Sequence, residues 1–285
     1  MNNIFNMKRF GLVLSKDFHE KWKKYGLQFL TMFGIMAVLL TWIVYDNVPV
    51  NSTKLFDDTY SNMELLQYAS LLFLGFGIFY ASTLMDSMRE KTKRISCLMT
   101  PASHFEKFIS RWLIVTIGYT IAFFIALWLA DAVRVTFLSY KFPEFDFPFL
   151  DFNRLIEPET GTHNRNYVFS GKFFFGIGIG FYLLLQSLFI LGATFWERAS
   201  FIKTFSAGVV VVLSFLLLNY WMIKVVYHDM EGFGKVMDAL APRNTTQDTG
   251  NTVMLLIVCF LSFCALLNWV IAFFRFRESE IIKRM

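Results

Sequence analysis

The amino-acid sequence predicts an all-α, polytopic membrane protein with six transmembrane helices. Six stretches of the 285-residue chain contain no charged residue: 27–45, 65–85, 112–130, 173–196, 205–223 and 253–274. A helix rises about 1.5 Å per residue, so runs of roughly 20 residues match a hydrocarbon core about 30 Å thick. Only helices or a closed barrel can cross a bilayer, because backbone amides must be paired there, and these continuously apolar runs lack the alternation of barrel strands.

The composition predicts that residues 1–285 form a single transmembrane domain. Hydrophobic residues make up 55% of the chain and aromatic residues 19%, against 17% charged residues, which is far from the composition of soluble domains. The longest polar stretch, 131–172, has about 40 residues, a length at which an independent domain usually needs disulfides or metals. We therefore expect no separate soluble domain.

The distribution of positive charge predicts the orientation of the chain. Lys and Arg concentrate in loops that stay on the cytoplasmic side, and 18 of the 27 Lys and Arg residues lie in the first, third, fifth and seventh segments outside the spans. Both termini are therefore expected in the cytoplasm. Because the basic residues border the spans, the net charge of +5 reflects topology, and nucleic acid is not an expected partner.

Residues 1–26 are expected to form an amphipathic connecting helix along the inner leaflet. Apolar residues recur at steps of four and three, at Phe10, Leu14, Phe18, Trp22 and Tyr25. Lysines occupy mostly other parts of the helical wheel, at Lys8, Lys16, Lys23 and Lys24. This pattern is typical of a helix that buries an apolar stripe in the interface and directs lysines to anionic headgroups, so membrane lipids are expected partners. A simple juxtamembrane anchor is the alternative.

The segment 86–111, between the second and third spans, is expected to form a cytoplasmic elbow. Pro101 cannot continue a preceding helix, so the chain should bend there. Ser103 with Glu106 three residues on fits a capping box, which predicts a new helix that runs into the third span. A solvated basic loop is the alternative, but it does not explain the apolar residues beside the bend.

Two outer segments carry apolar patterns. The segment 135–166 contains six phenylalanines, interrupted by Pro143 and Pro148, so we expect no regular helix there and aromatic packing at the interface or over a pore mouth. Between spans five and six, apolar residues at steps of 4, 3, 4 and 3 from Val226 to Leu240 predict a short helix at the outer leaflet.

Within the spans, the most polar side chains other than hydroxyl-bearing ones are amides. Among them are Gln67, Gln186, Asn219 and Asn268. Ion-coupled carriers generally need ionisable groups near mid-membrane, so we expect the amides to join helices instead. Gly176 and Gly180, four residues apart, predict a close helix contact in the fourth span.

The sequence lacks the motifs of membrane enzymes and of ATP-binding chains. His19-Glu20 is followed by Lys23 where a zinc-binding HExxH motif needs its second histidine. The Gly-x-Ser-x-Gly nucleophile motif does not occur, and Gly171-Lys172 is followed by Phe173 instead of the Ser or Thr of a P-loop. We therefore expect no enzymatic activity, metal or cofactor, and any ATP hydrolysis belongs to a separate subunit.

In this order, these parts resemble the membrane subunit, or permease, of ABC transporters of the type-2 exporter superfamily. Such subunits combine a connecting helix, six spans, a coupling helix between spans two and three, and short external helices between spans five and six. The corresponding stretches are 8–25, 89–107 and 224–240, and the run from Met99 to Phe108 is similar to the family's turn into span three. The long phenylalanine-rich outer segment departs from the most compact members.

The resemblance implies a separate ABC ATPase subunit that binds the elbow and the connecting helix. It also implies a second permease subunit, identical or different, and a place in the plasma membrane, which in a bacterium is the inner membrane. Our hypothesis is that seven elbow residues pass the ATPase's movement to spans two and three as a tilt. These residues are Arg89, Lys93, Arg94, Pro101, Ala102, Ser103 and Glu106.

Two other functions fit the same topology. A non-transporting membrane scaffold or sensor would have no ATPase encoded beside it. A lipid-modifying enzyme would need acidic or histidine groups clustered at one interface. The candidates for that cluster are Asp131, Asp146, Asp151, Glu157, Glu159 and His163.

Overall fold

The part of the chain that the computed structural model describes is helical apart from short connections. It comprises residues 5–48, 58–86, 95, 99–153, 171–196, 198–227 and 247–282. The helices are α1 (Met7–Asn47), α2 (Asp58–Ser82), α3 (His104–Leu113), α4 (Tyr119–Lys141), α5 (Gly171–Phe195), α6 (Ser200–Tyr227) and α7 (Gln247–Ile282). A π-helical turn, Ile114–Gly118, joins α3 to α4.

Within the described part of the chain, six helices are long and apolar enough to cross a membrane. Each covers all or nearly all of one predicted span, and the third runs from His104 to Lys141 through the π-helical turn. The predicted all-α, multi-pass fold is therefore confirmed. The sidedness of the termini stays a prediction.

Helix α1 continues without interruption through the predicted connecting helix and the first span. Its 41 residues give a length of about 60 Å at 1.5 Å per residue, about twice the thickness of the hydrocarbon core. No proline interrupts this stretch, and its three glycines, Gly11, Gly26 and Gly34, weaken the helix without ending it. The connecting segment is thus the N-terminal half of α1 and not a separate helix, and its position at the inner leaflet stays a prediction.

The C-terminal half of α1 packs against α4. Met32, Met36, Leu40 and Val44, four residues apart on one face, are buried in one hydrophobic cluster with Phe123 of α4. Burying apolar surface on this one face holds the two helices together. This cluster forms the main core of the bundle.

A second hydrophobic cluster lies where α2 ends and α3 begins. It brings together Leu84, Phe108 of α3 and Phe276 of α7, and the Phe108 and Phe276 ring centroids are 5.9 Å apart. Arg9 of α1 bonds to Glu106 at the same end. The first residues of α1, the elbow and the last turns of α7 therefore share one end of the bundle, as an even number of spans requires.

Glycines set the closest helix contacts around α5. A Cβ atom added to Gly180 would lie 3.4 Å from Leu261 of α7, and one added to Gly176 would lie 3.6 Å from Val258. The predicted close approach at this glycine pair is confirmed, and its partner is α7. At Gly192, an added Cβ would lie 2.0 Å from Thr204 of α6, so this contact requires glycine.

The lateral surface of the bundle is apolar. In the most apolar 18-residue windows of α6 and of α7, only 6% of the residues are buried. Large side chains such as Leu217, Trp221 and Phe263 are exposed. Lipid tails are as apolar as these side chains, so this surface suits a bilayer and not water.

The predicted irregular outer segment begins later than expected. Helix α4 continues to Lys141, so residues 135–141, including Phe137, are helical. Because Pro143 restricts mainly itself and the residue before it, it ends the helix only at Phe142. Residues 142–152 are irregular as predicted, whereas residues 154–166 and most of the helix predicted from Val226 to Leu240 lie outside the described residues.

Candidate functional site

The elbow contains a three-residue turn centred on Pro101. The Ala102 N–H donates to the Thr100 carbonyl oxygen over 2.8 Å, which is the hydrogen bond of a γ-turn. The fixed φ of proline, near −65°, suits the central position of this turn. Pro101 is exposed, and Ala102 and Ser103 are half-buried. The predicted bend is confirmed.

A capping box begins α3 immediately after this turn. The Glu106 N–H donates to Ser103 Oγ over 3.2 Å, and the Ser103 N–H donates to Glu106 Oε2 over 3.0 Å. These reciprocal bonds satisfy two amides that the start of a helix leaves without partners. The capping box predicted from the sequence is therefore confirmed.

The same Glu106 carboxylate joins α3 to the start of α1. Arg9 Nε donates to Oε2 over 2.6 Å and Arg9 Nη2 donates to Oε1 over 2.8 Å, a two-bond pairing. The Asn6 N–H also donates to Oε1, over 2.8 Å. We call Asn6, Arg9, Ser103 and Glu106 the elbow joint.

Burial limits what Glu106 can contact. Its side chain is 0% exposed, so it has no surface to offer to another protein. A role in coupling to an ATPase would therefore act through the elbow joint and not through direct contact. The structure thus gives Glu106 a defined place inside the chain, and the coupling role itself stays a prediction.

The charged face of α1, and not its apolar stripe, packs toward the elbow. Lys16 Nζ donates to Thr100 Oγ1 over 2.6 Å, and Lys24 forms an ion pair with Asp86 at the end of α2. These two lysines therefore have polar partners within the protein, and the expectation that they meet lipid headgroups stays a prediction. In the apolar stripe, by contrast, Phe18 is 53% exposed.

Asp17 extends this polar contact along α3. Ser110 Oγ donates to Asp17 Oδ2 over 3.0 Å, and Arg111 Nε lies 4.0 Å from the same oxygen. The Arg111 guanidinium also lies 5.5 Å from the centre of the Phe276 ring, which places a cation over an aromatic face. Arg111 therefore connects α1, α3 and α7.

The outer surface of the elbow is apolar. Met99 is 78% exposed and Phe105 is 40% exposed, next to the exposed Pro101 and His104. The Phe105 ring also contacts Phe273 of α7, with centroids 5.9 Å apart. We call Met99, Pro101, His104 and Phe105 the elbow tip.

The predicted coupling residues divide into two groups. Pro101, Ala102, Ser103 and Glu106 lie together at the elbow, whereas Arg89, Lys93 and Arg94 are outside the described residues. Sequence reasoning missed Arg9 and Asp17 as partners of the elbow. Arg9, Asp17 and Lys24 are eight and seven residues apart, a helical spacing that places them on one face and could have shown that this face meets the protein.

A second polar centre lies at the opposite end of α4. Arg134 Nε donates to Asp131 Oδ1 over 2.7 Å, Arg134 Nη2 donates to the Pro148 carbonyl oxygen over 2.7 Å, and the Leu150 N–H donates to Asp131 Oδ2 over 2.8 Å. Both charged side chains are buried, at 5% and 3% exposure. They hold the first part of the outer segment against the bundle.

This arrangement bears on the cluster considered for a lipid-modifying enzyme. Asp131 is engaged by Arg134, Asp146 is exposed, and Asp151 accepts the Asn153 N–H. The other candidates, Glu157, Glu159 and His163, lie outside the described residues. Within the described ranges, no three His, Cys, Asp or Glu side chains come together as a metal site.

Of the amides Gln67, Gln186, Asn219 and Asn268, two join helices as predicted. Gln186 Nε2 of α5 donates to Thr116 Oγ1 in the π-helical turn over 3.3 Å, and Asn268 Nδ2 of α7 donates to Ser187 Oγ over 3.0 Å. Asn219 instead donates to the Phe215 carbonyl oxygen of its own helix. Gln67 is exposed, so it faces away from the described helices.

Comparisons of this chain with protein-family models, with curated proteins and with solved structures find no match. Function must therefore be inferred from the geometry of the elbow and from the membrane-spanning architecture.

Proposed function

We propose that this chain is the permease subunit of an ATP-driven exporter of the ABC type-2 class. In this proposal a separate ATPase docks on the elbow tip and on the N-terminal half of α1. The architecture that supports it is a bundle of six membrane-crossing helices in which the first residues of α1, the elbow and the end of α7 share one end. The absence of an ATP-binding motif in the sequence requires the separate motor.

The observation that carries the proposal is the elbow joint beneath an exposed apolar tip. The buried Glu106 carboxylate accepts hydrogen bonds from Asn6 and Arg9 of the α1 side and from Ser103 of the elbow. Charge-assisted bonds of this kind resist separation. A displacement of the tip would therefore move α1 and α3 together.

Because the helices joined at the elbow are long, this displacement would tilt them. The helix α1 has 41 residues, and the helix from His104 to Lys141 has 38, so both extend from the elbow across the membrane. Rigid elements that leave a common docking point amplify small movements. This is the physical basis on which we assign coupling to the elbow.

The proposal includes a second permease subunit. Only 6% of the residues in the most apolar windows of α6 and α7 are buried. The broad apolar faces of these two helices therefore offer a surface for it. A homodimer and a heterodimer use this surface equally well.

The test is purification of the full-length protein from its native membrane with a mild detergent. We expect a protein that hydrolyses ATP to co-purify, and we expect the substitution Met99→Asp at the elbow tip to reduce both its amount and its ATPase rate. Phe149→Asp is the matched control, because Phe149 is an exposed apolar residue at the other end of the bundle. Recovery of the wild-type protein without any ATP-hydrolysing partner contradicts the proposal and favours a scaffold or sensor.

A further inference from the structure

An open apolar groove lies on the lateral surface, between the C-terminal half of α1 and the end of α4. It holds about 420 Å³, within the range of about 300–1,000 Å³ that is usual for small-ligand sites. Its walls include Val38 and Trp42 of α1 and Val133 and Phe137 of α4. All four side chains are exposed and belong to membrane-crossing helices, so the groove opens toward lipid tails and not toward water.

The groove is about as long as one leaflet is deep. It extends over eight residue steps on each helix, from Ala37 to Tyr45 on α1 and from Val133 to Lys141 on α4. At 1.5 Å per residue this is about 12 Å, compared with about 15 Å for half of the hydrocarbon core. The length of the groove therefore matches an acyl chain of a single leaflet.

A lysine held between aromatic rings closes one end of the groove. Lys141 Nζ donates to Tyr45 Oη over 3.0 Å and lies 4.3 Å from the centre of the Tyr45 ring and 5.8 Å from that of the Phe142 ring. An ammonium group has three N–H donors, so two remain for another acceptor. Asp46 and Glu144, the acids nearest in sequence to this end, are exposed, and no carboxylate of the described residues forms an ion pair with Lys141.

The aromatic residues at this end indicate its depth in the membrane. Trp and Tyr are enriched where the hydrocarbon core meets the headgroups, and Trp42 and Tyr45 are exposed beside Lys141 at the end of the groove. The Lys141 ammonium therefore lies at the level of lipid phosphates. A positive charge at headgroup level thus continues into an apolar path one leaflet deep.

We propose that this groove binds one anionic phospholipid. Its phosphate lies at Lys141, and one acyl chain follows the groove past Phe137 and Val133. Such a lipid satisfies both features at once, because its charge complements Lys141 and its chain covers the apolar walls. A zwitterionic lipid would supply the chain without the net charge, and a free phosphate ion would leave the walls uncovered. In the predicted topology this is a lipid of the outer leaflet, and the proposal does not depend on transport activity.

The headgroup is tested with a charge-neutralising pair of variants. Native mass spectrometry of the full-length protein in detergent measures binding of the first dioleoylphosphatidylglycerol and the first dioleoylphosphatidylcholine. We expect Lys141→Gln to weaken phosphatidylglycerol binding about five-fold, the effect of one lysine near an anionic surface, and to leave phosphatidylcholine binding unchanged. Lys224→Gln is the matched control, because Lys224 is an exposed lysine in the last turn of α6. This control should bind both lipids as the wild type does.

The acyl-chain path is tested with a second pair. Val133→Trp should fill the groove and weaken binding of both lipids. Val211→Trp, the same change at a position of α6 that is 68% exposed and outside the groove, should weaken neither.

Three results would overturn the proposal. Equal loss of phosphatidylglycerol binding in Lys141→Gln and Lys224→Gln would favour general charge attraction. Full competition by inorganic phosphate, with no effect of Val133→Trp, would favour a free-anion site. Dissociation of a dimer by Val133→Trp, with lipid binding unchanged, would favour a contact between two copies of the chain.

Discussion

At the residue scale, Glu106 stands out because one carboxylate serves two helices. It completes the capping box of α3 and accepts hydrogen bonds from Asn6 and Arg9 of the α1 side. A buried carboxylate is costly unless its oxygens are well paired. Its partners therefore decide whether this end of the bundle is stable.

Substitutions of Glu106 should separate its two roles. Glutamine still serves in a capping box, so we expect Glu106→Gln to lose the ion pair with Arg9 but to keep α3 capped. Glu106→Ala loses both the ion pair with Arg9 and the capping bond from the Ser103 N–H. It leaves the buried backbone amides of Asn6 and Ser103 without acceptors, which costs about 1–3 kcal/mol. The free energy of unfolding in mixed detergent micelles should therefore fall in the order wild type, Glu106→Gln, Glu106→Ala. Glu20→Gln, an exposed site on α1, is the control, and equal stability of all four proteins would contradict the assignment.

The pair Asp131 and Arg134 makes a second residue-scale prediction. Both side chains are buried, and they bond to the outer segment through Pro148 and Leu150. Removing one partner of a buried ion pair leaves the other uncompensated, so Arg134→Met should cost about 3–5 kcal/mol. The unfolding free energy and the protease sensitivity of residues 142–153 are the measurements. Asp146→Asn, at an exposed position in the same segment, should behave like the wild type, and a similar result for Arg134→Met would show that the pair does not hold the segment.

At the element scale, the N-terminal half of α1 packs Arg9, Lys16 and Lys24 against the protein, whereas Phe18 and Trp22 of its apolar stripe are exposed. This arrangement is opposite to that of a surface helix in a soluble protein. It is favourable here because the elbow supplies Thr100 and Glu106, and the end of α2 supplies Asp86, as polar partners. The exposed part of the apolar stripe, Phe18 and Trp22, is left to contact lipid or another protein.

Helix α5 offers a matched pair of glycine substitutions. An added Cβ at Gly192 would lie 2.0 Å from Thr204 Oγ1 and 2.9 Å from Thr204 Cβ, whereas Gly178 has no atom within 4 Å of that position. Relieving such an overlap forces α5 and α6 apart, so Gly192→Ala should destabilise the protein by about 1–3 kcal/mol. Gly178→Ala should be neutral or slightly stabilising, because alanine favours helices. Thermal unfolding followed by circular dichroism distinguishes the two, and a wild-type midpoint for Gly192→Ala would contradict the close contact between α5 and α6.

At the scale of the whole molecule, the two ends of the bundle differ in chemistry. One end combines the elbow joint with Arg111 and Phe276, and the other holds the pair Asp131 and Arg134 with the phenylalanine-rich segment. The distribution of Lys and Arg predicts that the elbow end is cytoplasmic. Sidedness is therefore open to direct measurement.

Cysteine labelling in intact cells provides that measurement. After replacement of the native Cys97, Cys259 and Cys264 by serine, Asp146→Cys should react with a membrane-impermeant maleimide added outside. Lys8→Cys should react only after the membrane is permeabilised, because the elbow end faces the cytoplasm in the predicted topology. The reverse pattern would invert the topology and would remove the elbow from the reach of a cytoplasmic ATPase.

The sequence by itself determined the elements that depend on local chemistry. Long uncharged runs require membrane-crossing helices, Pro101 requires a bend, and the spacing of Ser103 and Glu106 gives a capping box. The close contact at Gly176 and Gly180 was also predictable, because small side chains leave room for a neighbouring helix. Each of these features is encoded within a few consecutive residues.

Only the tertiary structure decided which surfaces meet. The bond from Arg9 to Glu106 spans 97 residues of sequence, and the identity of α7 as the partner of Gly180 depends on the packing of the whole bundle. A helical pattern shows that one face is charged and another is apolar, but the free energy of each face depends on what surrounds it. In lipid, Phe18 and Trp22 of α1 can stay outside, and Arg9 and Lys24 are stable against the protein because distant segments supply the opposite charges.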